Sequence, residues 1–264
     1  VVPDANPRAV LEWAMPVSRI VRVAHEWGAL VGAADRDAVL LTYNRNNIQH
    51  LFAIPSFIAN LFRTRAKLPE EAIVTGCRAL YPFLRTEYFL RWSPEELEPV
   101  VRRWLAVMTN IGLLKREGDD LWRPDVTAPA FSTLAMLGRI LAETLERYGM
   151  TALLLADEYR NNTGLARDKF EKDCRLLAER MAVLTGREAP EFFDPALFKG
   201  YLNTLIGVGL VRVDADSKLI VDARIERIAE RSLELLSDES RQTLLQLLSR
   251  RHAAALPAAP VANG

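Results

Sequence analysis

The chain has 264 residues, 50% of them hydrophobic and 26% charged, which is enough to bury a sizeable core and excludes a disordered or collagen-like chain. Its 34 Lys and Arg balance 34 Asp and Glu, so the formal net charge is zero. That excludes bulk electrostatic attraction to nucleic acid or anionic lipid and leaves only local patches to act.

In chain order, helical periodicity dominates. A first helix is predicted over 8–24. The stretch Trp27–Leu41 then places Gly28 where a helix C-cap belongs, followed by a short apolar strand, an Asp-containing turn and a second apolar run, the pattern of a helix followed by a β-hairpin. A helix over 44–62 comes next. Another starts at Pro69-Glu70-Glu71 and is expected to kink or end at Pro82, where a hydrogen bond is lost. Ser93-Pro94-Glu95-Glu96 is a capping box leading into a run to Ile111. Gly112 opens a second hairpin over Ile111–Pro124, with Asp119-Asp120 at its turn.

A helix is predicted over 130–156, then one capped by Thr163 that runs to Leu184 and stops at Gly186. Asp194-Pro195 repeats the cap-then-Pro arrangement before a helix to about Val208. Gly209 opens a third hairpin over Val208–Asp222. A last helix follows over 222–251, and Ala253–Gly264 is expected to be a disordered Ala/Pro tail. The glycines heading the hairpins are 84 and 97 residues apart, too unequal for a strict solenoid. The fold class expected is therefore mainly α, a helical domain with about three small β-hairpins in winged-helix-like units. The division expected is 1–125 with two units, 126–252 with the third, and the tail.

A winged helix that reads DNA presents Arg and Lys to phosphates and base edges. Here Glu95, Glu96 and Glu98 oppose Arg102 and Arg103, the third unit's helix holds only Lys199, and the turns are acidic. Protein-contacting or structural modules fit better than nucleic-acid binding. The three histidines, His25, His50 and His252, lie in no metal spacing, and there is no C-x-x-C, P-loop or G-x-S-x-G. Neither catalytic residues nor a metal or cofactor site is indicated. Cys77 and Cys174 read as buried free thiols in a reducing compartment. No apolar run reaches the roughly 18–20 residues of a spanning helix, and the abrupt Val1-Val2-Pro3 start suggests a fragment of something longer.

Tyr43–Phe62 stands out. Arg45, Asn46, Asn47 and His50 run into an apolar stretch carrying Phe52, Phe57 and Phe62, and Arg63, Arg65 and Lys67 follow at once. Three physical readings are open. The polar end can contact another domain or a phosphate. The aromatic and basic residues can dip into an anionic membrane interface. Or the helix, apolar on nearly every face, is core.

Five features together carry a family resemblance: the runs Leu40–Ala59, Leu80–Trp92, Leu145–Leu155 and Leu177–Phe198, and the spacing between them. In this order they resemble the C-terminal part of the bacterial membrane-bound glycerol-3-phosphate 1-O-acyltransferases, over nearly the whole chain apart from the tail. The resemblance implies acyl transfer from acyl-CoA or acyl carrier protein to glycerol 3-phosphate, the first step of phospholipid synthesis. It implies a peripheral location on the cytoplasmic face of the inner membrane and an upstream acyltransferase domain of the same polypeptide as partner. The family's H-x-x-x-x-D pairs a general-base His with an orienting Asp. The fifth residues after His25, His50 and His252 are Leu30, Pro55 and Pro257, and no Glu-Gly-Thr-Arg phosphate motif occurs. No catalytic residue is carried over, and an accessory C-terminal domain, inactive alone, is the expectation. A stand-alone winged-helix binding module is the alternative.

Overall fold

The computed structural model describes residues 6–161, 163–186 and 190–255. It divides into two compact units, one up to Leu51 and one from Phe52 on. The first unit holds helix α1 (Pro7–Ser18), the hairpin β1–β2 (Val21–Val23, Leu30–Gly32) and the start of α2 (Asp35–Leu61). Asn6 caps α1, its Oδ1 accepting from Arg8 N at 2.9 Å, with Pro7 at the first helical position. β1 and β2 pair antiparallel, Val21 opposite Gly32 and Val23 opposite Leu30.

The first hairpin lies earlier than the sequence suggests. Gly28 has φ +114, but it sits in the turn between the strands; the residue that ends α1 in the left-handed region is Arg19, φ +54. Asp35–Leu41, expected to be turn and second strand, already belongs to α2. A non-glycine residue in the C-cap conformation leaves no mark in sequence, so the turn glycine reads as the cap.

The second unit contains one module twice. In the first copy the end of α2 leads into β3 (Lys67–Pro69), α3 (Glu70–Tyr88), α4 (Leu97–Asn110) and the hairpin β4–β5 (Lys115–Glu117, Asp120–Trp122). β3 pairs antiparallel with β5, giving the order β3-β5-β4. In the second copy α5 (Pro129–Arg139) and α6 (Ala142–Asn161) precede an extended residue, Ala166. Then come α7 (Arg167–Leu184), α8 (Pro195–Gly207) and the hairpin β6–β7 (Val211–Val213, Leu219–Val221). Ala166 bridges Lys218 antiparallel, and Leu219 N donates to Leu165 O at 3.0 Å. The order helix, strand, helix, helix, two-stranded wing is that of a winged helix.

The copies match residue for residue. Pro69 and Ala166 are both extended and each starts a helix. Each stands 43 residues ahead of a left-handed glycine, Gly112 or Gly209, that ends the pre-wing helix. Cys77 and Cys174 are one such pair, 97 residues apart and both buried. Val101, Leu105 and Met108 pair with Phe198, Leu202 and Leu205 in the same sense, all core. Phe89, φ +51, takes the left-handed position that Gly186, φ +61, takes in the second copy. The boundary expected near 125 falls between the copies, within the second unit.

Local signals were mostly sound. The capping box forms, with Ser93 N donating to Glu96 Oε2 at 2.7 Å, although regular helix starts at Leu97. Asp194 Oδ1 accepts from Ala196 N at 2.9 Å. Other local expectations fail, among them the single helix over 130–156, which is two. α3 runs past Pro82 to Tyr88, because Tyr81, Phe83 and Leu84 are all buried there and packing outweighs the lost hydrogen bond. Thr163 caps nothing: its hydroxyl donates to Glu158, and the helix begins after Ala166. The single helix expected over 222–251 is two, α9 (Arg224–Leu235) and α10 (Asp238–Ala255), so 253–255 are helical. The tail from 256 lies outside the described residues.

Gly138 on α5 lets that helix meet α2 closely: an added Cβ would stand 3.2 Å from Asn60 N. In the same region Ser56 Oγ is fully buried without a hydrogen-bond partner. Replacing Leu121, which is completely buried, with Ala is expected to cost about 3 kcal/mol. Ser56→Ala is expected to be neutral or to stabilise by about 1 kcal/mol, since no bond is broken. Urea unfolding followed by circular dichroism measures both.

Candidate functional site

The tract singled out in the sequence is α2 and its exit, and the structure splits it. In the first unit Arg45, Asn46, Asn47 and His50 are exposed. Arg45 Nε and Nη2 both donate to Asn46 Oδ1, at 3.3 and 3.2 Å. In the second unit Phe52 is half-buried, while Phe57, inside the unbroken buried run Ala53–Asn60, and Phe62 just beyond it are core residues. Those two rings contact protein rather than solvent.

The basic residues after the tract are engaged inside the second unit. Arg63 Nη2 donates to Leu235 O at 2.8 Å, closing the C-terminal end of α9, where a cation is favoured. Burial lowers its pKa from the ordinary arginine value, and Glu146 and Asp238 oppose the shift, so it remains a cation. Arg65 pairs with Glu234 at 2.6 Å, and Lys67 with Asp120 at 2.6 Å while lying over the Trp122 ring. The same turn between α9 and α10 is gripped from α6: Ser240 Oγ donates to the buried Glu146 at 2.5 Å, and Ser237 Oγ caps α10.

The main polar cluster was missed from sequence. At the end of α3, Glu87 forms a buried ion pair with Arg147 of α6. Glu87 Oε2 accepts from Tyr148 OH at 2.8 Å, and Oε1 accepts from Thr144 Oγ1 at 3.2 Å as well as from Arg147. Thr144 has one proton to give. If Glu87 takes it, Tyr88 OH donates to Thr144 at 2.5 Å. Tyr148 stacks on Tyr201 at 4.2 Å and 11°, with Phe83 against both. The cluster joins two of the runs that carry the resemblance, Leu80–Trp92 and Leu145–Leu155. The sequence signal is Glu146-Arg147 set directly against the apolar-rich run Gly149–Ala156, where buried charges are tolerated only with partners.

Glu87 and Arg147 are paired with each other, and the cluster holds the end of α3 in the first copy against α6 in the second. Burial opposes the Arg147 cation, and Glu87 overcomes that, leaving its pKa raised. Burial, then Glu87, pushes Tyr148 well above the ordinary 10.0, and Tyr88 and Tyr201 move the same way. Among the described residues no group of three His, Cys, Asp or Glu is placed to hold a metal, and no helix is long and apolar enough to cross a membrane.

In the first copy two basic residues of the pre-wing helix and wing are engaged in ion pairs. Arg102 of α4 bonds Glu70, Glu71 and Glu98, and Arg116 of the wing bonds Glu70 at 2.5 Å. The class these features define is a tandem of winged-helix-like modules. Residues 2–214 match the glycerol-3-phosphate acyltransferase C-terminal region, and the chain belongs to that family. It is 34% identical over 254 residues to a glycerol-3-phosphate acyltransferase of Pseudomonas putida (strain W619), covering 96% of this chain and 30% of that protein. For that of Pseudomonas syringae pv. syringae (strain B728a) the identity is 35% over 229 residues, 87% of this chain and 27% of the relative. For that of Ectopseudomonas mendocina (strain ymp) it is 35% over 260 residues, 98% and 31%. The chain thus spans under a third of the length of these relatives, and a stand-alone binding module finds no support among them.

Glu87→Ala strands Arg147 in the interior and is expected to cost about 3–5 kcal/mol. The raised tyrosine pKa values make a second expectation. A group whose folded value lies above its unfolded one contributes fully below the unfolded value, here 10.0, and loses that contribution as pH rises toward the folded value. Thermal melts should therefore hold up to pH 10 and fall steeply above it, and Tyr148→Phe should flatten the fall.

Proposed function

We propose that this chain is the C-terminal accessory part of an enzyme that moves a fatty acyl group from acyl-CoA or acyl carrier protein to the sn-1 hydroxyl of glycerol 3-phosphate. The observation that carries the reading is the family match across residues 2–214, together with coverage of under a third of each relative. In the intact enzyme the general base and the phosphate-binding groups belong to an upstream acyltransferase domain, which this chain braces. Arg45, Asn46, Asn47 and His50, exposed on α2, are the polar residues offered to that domain.

Peripheral attachment to the cytoplasmic face of the inner membrane is proposed for the intact enzyme on the resemblance. The buried stretch Ala53–Asn60 and the paired Arg65 and Lys67 are not its source.

The purified 264-residue chain is expected to show no acyl transfer to glycerol 3-phosphate in a radiolabelled acyl-CoA assay, while the intact polypeptide turns over. Arg45→Ala in the intact polypeptide is expected to lower its kcat or its thermal stability; an unchanged enzyme on both counts removes Arg45 from the interdomain contact. Co-sedimentation of the chain with vesicles rich in phosphatidylglycerol at low salt tests the membrane role. The expectation is weak pelleting that Phe57→Ala does not specifically reduce.

A further inference from the structure

The first unit ends as the two modules end. α1 is followed by a left-handed residue, Arg19, and then a hairpin, as α4 is by Gly112 and α8 by Gly209. Aligned on that residue, Val21 corresponds to Leu114 and Val211. Through the strand registers, Leu30 corresponds to Leu121 and Leu219. The chemistry agrees at every position, but the burial does not. Leu114 and Val211 are 3% and 1% exposed, and Val21 is 51%. Leu121 and Leu219 are 0% and 5% exposed, and Leu30 is 56%.

What covers these positions in the second unit is known from the fold. β3 pairs with the inner edge of β5, and Leu165–Ala166 with that of β7. α3 then packs on α4, and α7 on α8. Among its described residues the first unit has the pre-wing helix and the wing but neither the strand nor the helix that precede them. A two-stranded hairpin with apolar residues exposed on both faces is marginal without a further strand or a covering helix.

We infer that α1, β1 and β2 are the second half of a third winged helix, completed by a strand and a helix from the polypeptide immediately upstream. The strand adds antiparallel to the free edge of β2, and the helix covers Leu30 and Val21. In both complete modules the strand residue lies 43 positions before the left-handed residue. Counted back from Arg19, that places the strand about 25 residues upstream of Val1, with the helix between them. The inference rests on the proposed reading that such an upstream polypeptide exists. It differs in its occupant, a local strand–helix segment rather than the acyltransferase domain proper.

The test uses the intact polypeptide carrying Leu30→p-benzoylphenylalanine, irradiated and mapped by mass spectrometry. The expected crosslink falls within about 30 residues upstream of Val1. A crosslink to more distant upstream sequence, to another copy or to lipid overturns the inference. Hydrogen exchange of the unsubstituted intact polypeptide guards against a misfolded variant. The peptide over Leu30–Gly32 is expected to exchange at least about 100-fold slower there than in the 264-residue chain. Equal exchange in the two overturns the inference as well. Acyl transfer by the same unsubstituted polypeptide separates the two failures: an active enzyme with a distant crosslink sinks only the third module, whereas an inactive one sinks the acyltransferase reading.

Discussion

The buried pair of Glu87 and Arg147 is the constraint on which the second unit depends. It joins the end of α3 in one winged helix to α6, the lead helix of the next. Two like modules connected by a short linker have no intrinsic reason to adopt one arrangement, because apolar faces slide over one another at small cost. A desolvated carboxylate that must reach an arginine, a threonine and a tyrosine together admits one registration. The Tyr148–Tyr201 stack and Phe83 extend that registration into the apolar core. Burying these charges adds little net stability. Leaving either unpaired is costly, and this penalty is what fixes the geometry.

Arg63 and Glu146 apply the same logic to the α9–α10 turn. One holds Leu235 O and the other Ser240. The residues that looked like a membrane-facing basic patch are in this way used up as internal clamps. Arginine suits that use because its guanidinium stays charged when half-buried, where a lysine would tend to neutralise. Sequence position after an apolar helix cannot separate a clamp from a lipid anchor; only the partners, 169 to 172 residues away in the chain, decide it.

How much was legible follows from how local each signal is. The caps at Ser93 and Asp194, and the wings headed by Gly112 and Gly209, are encoded within four or five residues and were readable. The 97-residue spacing of those glycines was visible, yet the repeat was discounted because Gly28 was set in the same series. With Arg19 in that place the left-handed residues heading the wings stand 93 and 97 residues apart, close to one period. The sequence hid this because the left-handed cap there is an arginine. Pro82 misled for a different reason: helix-breaking propensity is worth about 3 kcal/mol, and α3 buries several large side chains on either side of it. The polar cluster was unreadable in detail because its members come from runs some sixty residues apart.

A winged helix ordinarily earns its description from what its pre-wing helix touches. In this chain that helix faces inward and sideways: Val101, Leu105 and Met108 in one copy, and Phe198, Leu202 and Leu205 in the other, are buried, and Arg102 is shared among three glutamates. Burial alone raises the Glu70 pKa, but hydrogen bonds from Arg116 and Arg102 outweigh it and hold the carboxyl below its ordinary value. Arg102 and Arg116 are thus neutralised in place, with the acidic turn Asp119-Asp120 in the same wing. The pre-wing helices serve the packing of the second unit, their apolar faces buried in its core.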